Sequence, residues 1–132
     1  MPPDIRFATA VEILVRLARA DRFKTSEELS KMIGVHPISI RRVIARLGEA
    51  GIIKTQRGFS HGSQLIRSPD SITLGEIHRA LDLRSDFVAV SSTRGHLDKL
   101  NAQLSSISSD CYDALEAELD HVILSSVIES AK

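Results

Sequence analysis

The chain is expected to be mainly α-helical: a winged helix-turn-helix domain with a small two-stranded β wing and a long C-terminal dimerisation helix. Three observations lead there. Two amphipathic segments are separated only by a Gly34-Val35-His36 turn. The second is followed by two short β-type runs around a Gly-rich turn. The last quarter of the chain carries an apolar seam too long for a small domain to cover. At 132 residues and 14.5 kDa there is room for one domain with an appendage. The expected units are residues 1–83, the winged domain; 84–106, a loop and linker; and 107–132, the dimerisation helix.

Composition removes several function classes. The chain is 42% hydrophobic and 26% charged, ordinary for a folded soluble protein. Its apolar runs stop far short of the roughly 20 residues that a bilayer span needs. The opening Met1-Pro2-Pro3-Asp4-Ile5-Arg6 lacks the basic-then-apolar layout of a signal peptide. A single cysteine, Cys111, excludes an intramolecular disulfide and an all-cysteine metal cage within one chain. A cytoplasmic protein with no membrane partner is expected.

The elements follow in order. Residues 6–20 place Phe7, Val11, Leu14 and Ala18 at helical spacing and add Ala8, Ile13, Val15 and Leu17 on a second side, so this helix should be clasped by others. Thr25-Ser26-Glu27-Glu28 fits a capping box ahead of Leu29, Met32 and Ile33, and Gly34 ends that helix. Pro37 suits the first position of the next, which runs to about Ala50. There Ile40, Val43, Ile44 and Leu47 share one face, while Ile38, Ser39, Arg41, Arg42, Ala45 and Arg46 spread over the rest. Residues 52–55 and 64–67 read as two strands around a long basic tip at 57–63. Thr73-Leu74-Gly75-Glu76 is a second capping box, opening a helix through Ile77, Ala80 and Leu81. Residues 82–100 read as a loop with a partial helix at its end. From about 107 to 130 one long helix is expected, with Cys111, Leu115, Leu119 and Val122 on a narrow seam, Ile123 and Val127 beside it, and a second copy of the chain to cover part of it.

A net charge of zero conceals a division. Residues 1–70 hold 12 Lys and Arg against 7 Asp and Glu, a balance of +5, and residues 71–132 hold 5 against 10, a balance of −5. Within residues 31–67 there are seven basic side chains and one acid, Glu49. Surface helices usually mix signs, so this stretch points to a polyanion, double-stranded DNA above all. The second helix of the motif would enter the major groove, its arginines reading guanine edges and Ile38 or Ala45 touching a thymine methyl. Lys54 and Arg67 are expected on phosphates, and Arg57 and His61 at the wing tip in a narrowed minor groove.

A hydrolase is the rival from another class, because Gly58-Phe59-Ser60-His61-Gly62 matches G-x-S-x-G. That chemistry needs a strand-to-helix elbow in a parallel sheet, whereas a strand follows here, so no enzyme is expected. The five histidines show no zinc-binding spacing, and no metal or cofactor is expected from them. The alternative binding function is a winged-helix protein-interaction module without sequence-specific DNA binding.

These residues resemble a family. Thr25-Ser26-Glu27-Glu28-Leu29, Gly34-Val35-His36-Pro37, Leu47-Gly48-Glu49-Ala50-Gly51-Ile52-Ile53, Arg57-Gly58, Gly62 and Ile72-Thr73-Leu74-Gly75-Glu76-Ile77 resemble the BadM/Rrf-two type bacterial regulators, well over residues 1–83 and in outline over the C-terminal helix. The resemblance implies a homodimeric transcription factor, a repressor by expectation, whose long helices cross and whose DNA contacts run from His36 through Pro37, Ile38, Ser39 and Arg41 to Arg42, with Arg57 in the wing. His36 stands where a small hydroxyl cap is usual, and Ser63-Gln64 where an aromatic is common. Cluster-binding members carry three cysteines in the region corresponding to Leu83–Leu100; this chain has none there, so no iron–sulphur cluster is expected, and the signal would be a small molecule, a partner protein or oxidation of Cys111.

Overall fold

The computed structural model describes residues 5–56, 62–84 and 98–131. The first helix, α1 (Arg6–Arg19), is apolar on more than one side and lies at the centre, against α2 (Ser26–Ile33), α3 (Pro37–Glu49) and α4 (Leu74–Leu81). Its Ala10, Ile13 and Leu14 are wholly buried with Leu29 of α2, Ile40 and Leu47 of α3 and Ile77 of α4. Each such aliphatic side chain contributes about 1.5–3 kcal/mol on burial.

The wing is an antiparallel pair, β1 (Ile53–Thr55) and β2 (Ser63–Leu65), with Lys54 opposite Gln64. The second strand starts one residue earlier than expected because Lys24, before α2, bridges to it: Lys24 N donates to Ser63 O at 3.0 Å and Ser63 N to Lys24 O at 2.8 Å. Gly62, at φ 92, admits this approach, since a Cβ there would stand 2.8 Å from the Lys24 backbone. The expected tip, with Arg57, Ser60 and His61, lies outside the described residues.

Thr73 caps α4 as expected. Its Oγ1 accepts from Glu76 N at 3.1 Å, and the Thr73 backbone in turn helps to lower the Glu76 carboxyl. Arg67 takes it at 2.5 Å and also donates to the Ser71 carbonyl, so the guanidinium braces the start of α4.

The C-terminal region departs further from expectation. Helix α5 (Asp98–Leu119) begins well before residue 107 and stops at Leu119; α6 (Leu124–Ser130) follows after a break. In that break Leu74 N donates to Val122 O at 2.9 Å and Leu124 N to Ile72 O at 2.8 Å. Asp120 meanwhile receives the Arg79 guanidinium fork at 2.9 and 2.6 Å. Continuing the helix would forfeit these contacts. Val122 therefore leaves the seam, and Leu124, Val127 and Ile128 join the core of the winged domain.

The junction of α4 and α5 is polar. Glu116 of α5, 2% exposed, accepts from His78 Nδ1–H of α4 at 2.6 Å and from Arg84 at 2.5 Å, and Arg79 stands 3.7 Å away. Burial pushes the carboxyl up, but hydrogen bonds from Arg84 and His78 outweigh it and hold the group below its ordinary 4.5. The Phe7 ring meets His78 edge-on at 5.5 Å. Gly75 lets the helices touch: a Cβ would fall 1.8 Å from Asp120 Oδ1 and 3.0 Å from the Glu116 carbonyl.

Gly75→Ala is expected to destabilise the fold by about 1–3 kcal/mol, read as a lower thermal midpoint; an unchanged midpoint contradicts the close approach. A carboxyl depressed by folding contributes stability that is present above its unfolded value and lost as pH falls through its folded one. Glu116→Gln should therefore cost about 1–3 kcal/mol at pH 7, and the gap from the parent protein should shrink once the pH falls below about 4. Denaturant midpoints at pH 7 and 3.5 that show the same gap contradict this account of the junction.

Candidate nucleic-acid interface

The helix-turn-helix is built by local hydrogen bonds. Thr25 Oγ1 accepts from Glu28 N at 3.1 Å and Glu28 Oε1 from Thr25 N at 3.3 Å, completing the capping box. Arg22 forks onto the same carboxylate at 3.2 and 2.7 Å, and these bonds, with that from Thr25 N, lower the Glu28 carboxyl to about 2. Ser30 Oγ–H donates to the Val35 carbonyl at 2.6 Å and closes the turn. His36, in the place of a hydroxyl cap, serves through its ring: Nδ1 accepts from Ile38 N at 3.1 Å, leaving Nε2 as the donor. Pro37 occupies the first turn of α3.

Helix α3 then sorts its residues as its periodicity dictates. Ile40, Val43, Ile44 and Leu47 are buried, while Ile38, Ser39, Arg42 and Arg46 are exposed. An isoleucine 49% exposed beside two guanidiniums makes a surface that can meet both phosphates and the methyl edge of thymine. Among the described residues Arg42 has no ion pair, and Arg46 only a loose one to Glu49 at 3.9 Å. Arg41 differs: its guanidinium is held by Glu27 of α2 at 2.5 Å, so this cation also ties the two helices together.

The structure places the remaining expected residues as follows. Lys54, exposed on β1, has its ammonium 5.9 Å from the centre of the Phe23 ring. Arg57 and His61 lie outside the described residues, and Arg67 is turned to Glu76 rather than outward. Gly62 leads straight into β2, not into the helix a serine nucleophile would need. Cys111 and Leu115 are exposed on α5, Leu119 is half-buried, and Val122 sits after the helix. Two contributors carry no signal in the sequence spacing: Glu27, which neutralises Arg41, and Lys24, which anchors the wing. Both act across elements.

Known proteins share this arrangement. YwnA of Bacillus subtilis (strain 168), which bears the name of an HTH-type transcriptional regulator, is 23% identical over 120 residues, covering 91% of this chain and 89% of that protein. Two solved structures share the fold. T. potens IscR superposes with a TM-score of 0.67 at 22% identity, covering 100% of this chain and 89% of that one. CymR (YrzC), titled the global cysteine regulator of B. subtilis, superposes with a TM-score of 0.66 at 20% identity, covering 98% of each chain. The relatives are regulators of transcription rather than enzymes.

The family profile that matches is described as Rrf2, iron-dependent transcriptional regulator. The donors of this chain do not fit an iron–sulphur cluster. Such a cluster takes several soft thiolates, and the one cysteine present is exposed on α5, away from any grouping of three potential ligands among the described residues. The match itself extends from residue 4 to residue 130, over an observed winged helix-turn-helix, and the chain belongs to the Rrf2 family of DNA-binding transcriptional regulators.

Proposed function

We propose that the protein is a homodimeric repressor that binds a two-fold-related operator in the bacterial cytoplasm, reading it with α3 and the wing. The observation that carries this is the outward side of α3, where Ile38, Ser39, Arg42 and Arg46 are exposed with one loosely held acid, Glu49, beside them. His36 and Pro37 start the helix that would enter the groove, Lys54 would hold a phosphate from the wing, and an effector would set occupancy. Two copies of α3 must stand about 34–36 Å apart to address successive major grooves.

A second copy fits along α5. Leu100, Ile107, Cys111 and Leu115 lie on one stripe of this 22-residue helix, all exposed. The stripe flanks the side, with Ser108 and Glu116, that is buried against α4. A spacing near seven residues is what a helix pair buries between its axes, and α5 offers about 33 Å for it. No helix of the described residues is long and apolar enough to cross a membrane.

Light scattering should give about twice the 14.5 kDa chain mass, and Leu115→Lys, at a site 44% exposed, should return a soluble folded monomer; a monomeric parent protein contradicts the dimer. A dimer neutralising about 6–10 phosphates should lose roughly 10³ to 10⁵ in duplex affinity between about 50 and 200 mM salt. Arg42→Ala should cost about 1–3 kcal/mol of binding if it reads a base. Glu27→Gln should act in the opposite direction, releasing Arg41 so that binding tightens and the salt dependence steepens by up to about 0.9 per added phosphate contact. Duplex binding that is flat with salt, or indifferent to both substitutions, contradicts the assignment of α3.

A further inference from the structure

A cavity of about 570 Å³ opens between the start of α1, the outer flank of α3 and the end of α4. Its apolar walls come from Ile5, Val35, Val43 and Leu81. Its charged groups are three guanidiniums, Arg6, Arg42 and Arg46, against two carboxylates, Glu49 and Asp82. Asp82 holds a left-handed backbone, φ 52, alone among the described non-glycine residues, where it caps α4 at the cavity edge. Ligand sites commonly have about 300–1,000 Å³, apolar walls and a few converging polar groups. On the α3 wall Arg42 meets no carboxylate among the described residues and Arg46 only Glu49, loosely at 3.9 Å, so this wall offers guanidiniums to a negative charge.

We propose that this cavity is an effector site for a small amphipathic anion, one with a carboxylate or sulphonate head and an apolar body, and that its occupancy opposes DNA binding. The proposal rests on the assignment of α3 to DNA and names the ligand class that would regulate it. The opposition follows from position. Ser39, Arg42 and Arg46 line the cavity from the same helix flank that presents them to solvent. A guanidinium drawn onto a bound anion is withdrawn from a phosphate or a guanine edge, and its charge is already compensated. Linkage makes the effect reciprocal, so DNA must weaken the anion by the same factor. The body of the ligand would lie over Val43 and Leu81 and reach Ile5 and Thr9 of α1, residues with no part in the DNA surface.

The test uses the purified full chain with 8-anilinonaphthalene-1-sulphonate, an aryl sulphonate that brightens when enclosed by apolar walls, and octanoate as its dark competitor. The expected result is saturable binding of one probe per chain, displacement by octanoate, and a duplex affinity lowered roughly 5- to 150-fold at saturating octanoate. Ile5→Asp, which sets a fixed negative charge on the exposed apolar rim, should abolish probe binding and the octanoate effect. Thr9→Leu, filling the α1 wall, should weaken the probe in the same way. Probe binding untouched by both variants, or a duplex affinity indifferent to saturating octanoate, overturns the proposal. A chain that binds duplex but no saturable probe overturns the cavity site alone. A chain that binds the probe at a site sensitive to Ile5→Asp but binds no duplex supports the anion site and overturns the assignment of α3.

Discussion

Glu116 is a charge buried in a helix whose outer stripe is apolar, and a charge in that position must be met where it lies. His78 and Arg84 meet it from α4 and its C-terminal extension, with Arg79 close by. The constraint fixes how α5 sits on α4, and α4 in turn packs on both α1 and α3. Helices α5 and α3 are thus joined through two packed interfaces, so a change in the pose of α4 would be felt at both ends. Gly75 sits at the closest point of that contact, where any side chain would displace either Asp120 or the α5 backbone.

Helix α3 has three surfaces with separate duties. Ile40, Ile44 and Leu47 anchor it in the core. Arg41 faces Glu27 and stabilises the angle between the two helices of the motif. The flank of Ser39, Arg42 and Arg46 is left to solvent and to the cavity, and is the flank proposed for DNA. The basic stretch in the sequence therefore overstates the charge available to a polyanion: Arg41 and Arg67 are both compensated by carboxylates within the fold. What remains is a smaller set of cations, and each should matter more to binding.

Much of the motif could be read before any coordinates, because its stop and start signals are local. The box at Thr25 and Glu28, Gly34, Pro37 and the core stripe of α3 all depend on residues within a few positions of one another. The same reasoning failed where a distant partner decides. Glu76 has the position of a capping residue, and nothing local says that Arg67 also binds it; Asp120 looks like one more helical acid, yet Arg79 and Thr73 hold it where the helix ends. The beginning of α5 was hidden for another reason. Its early turns are rich in serine, and the side it buries carries Ser108 and Glu116 while Leu100, Ile107 and Leu115 face outward, so apolar periodicity could locate the stripe but not the packed side. On α3 the exposed flank could be named from spacing, whereas the neutralisation of Arg41 by Glu27 could not.

Selection of duplexes from a randomised library by the purified protein is the most direct measure of whether α3 reads DNA as one of a pair. The account predicts enrichment of a two-fold-related site with half-site centres about 10–10.5 base pairs apart or a multiple of it. It further predicts that Arg42→Ala changes the preferred base at the same position in both halves. Enrichment of no sequence, or an identical site selected by Arg42→Ala, would contradict it.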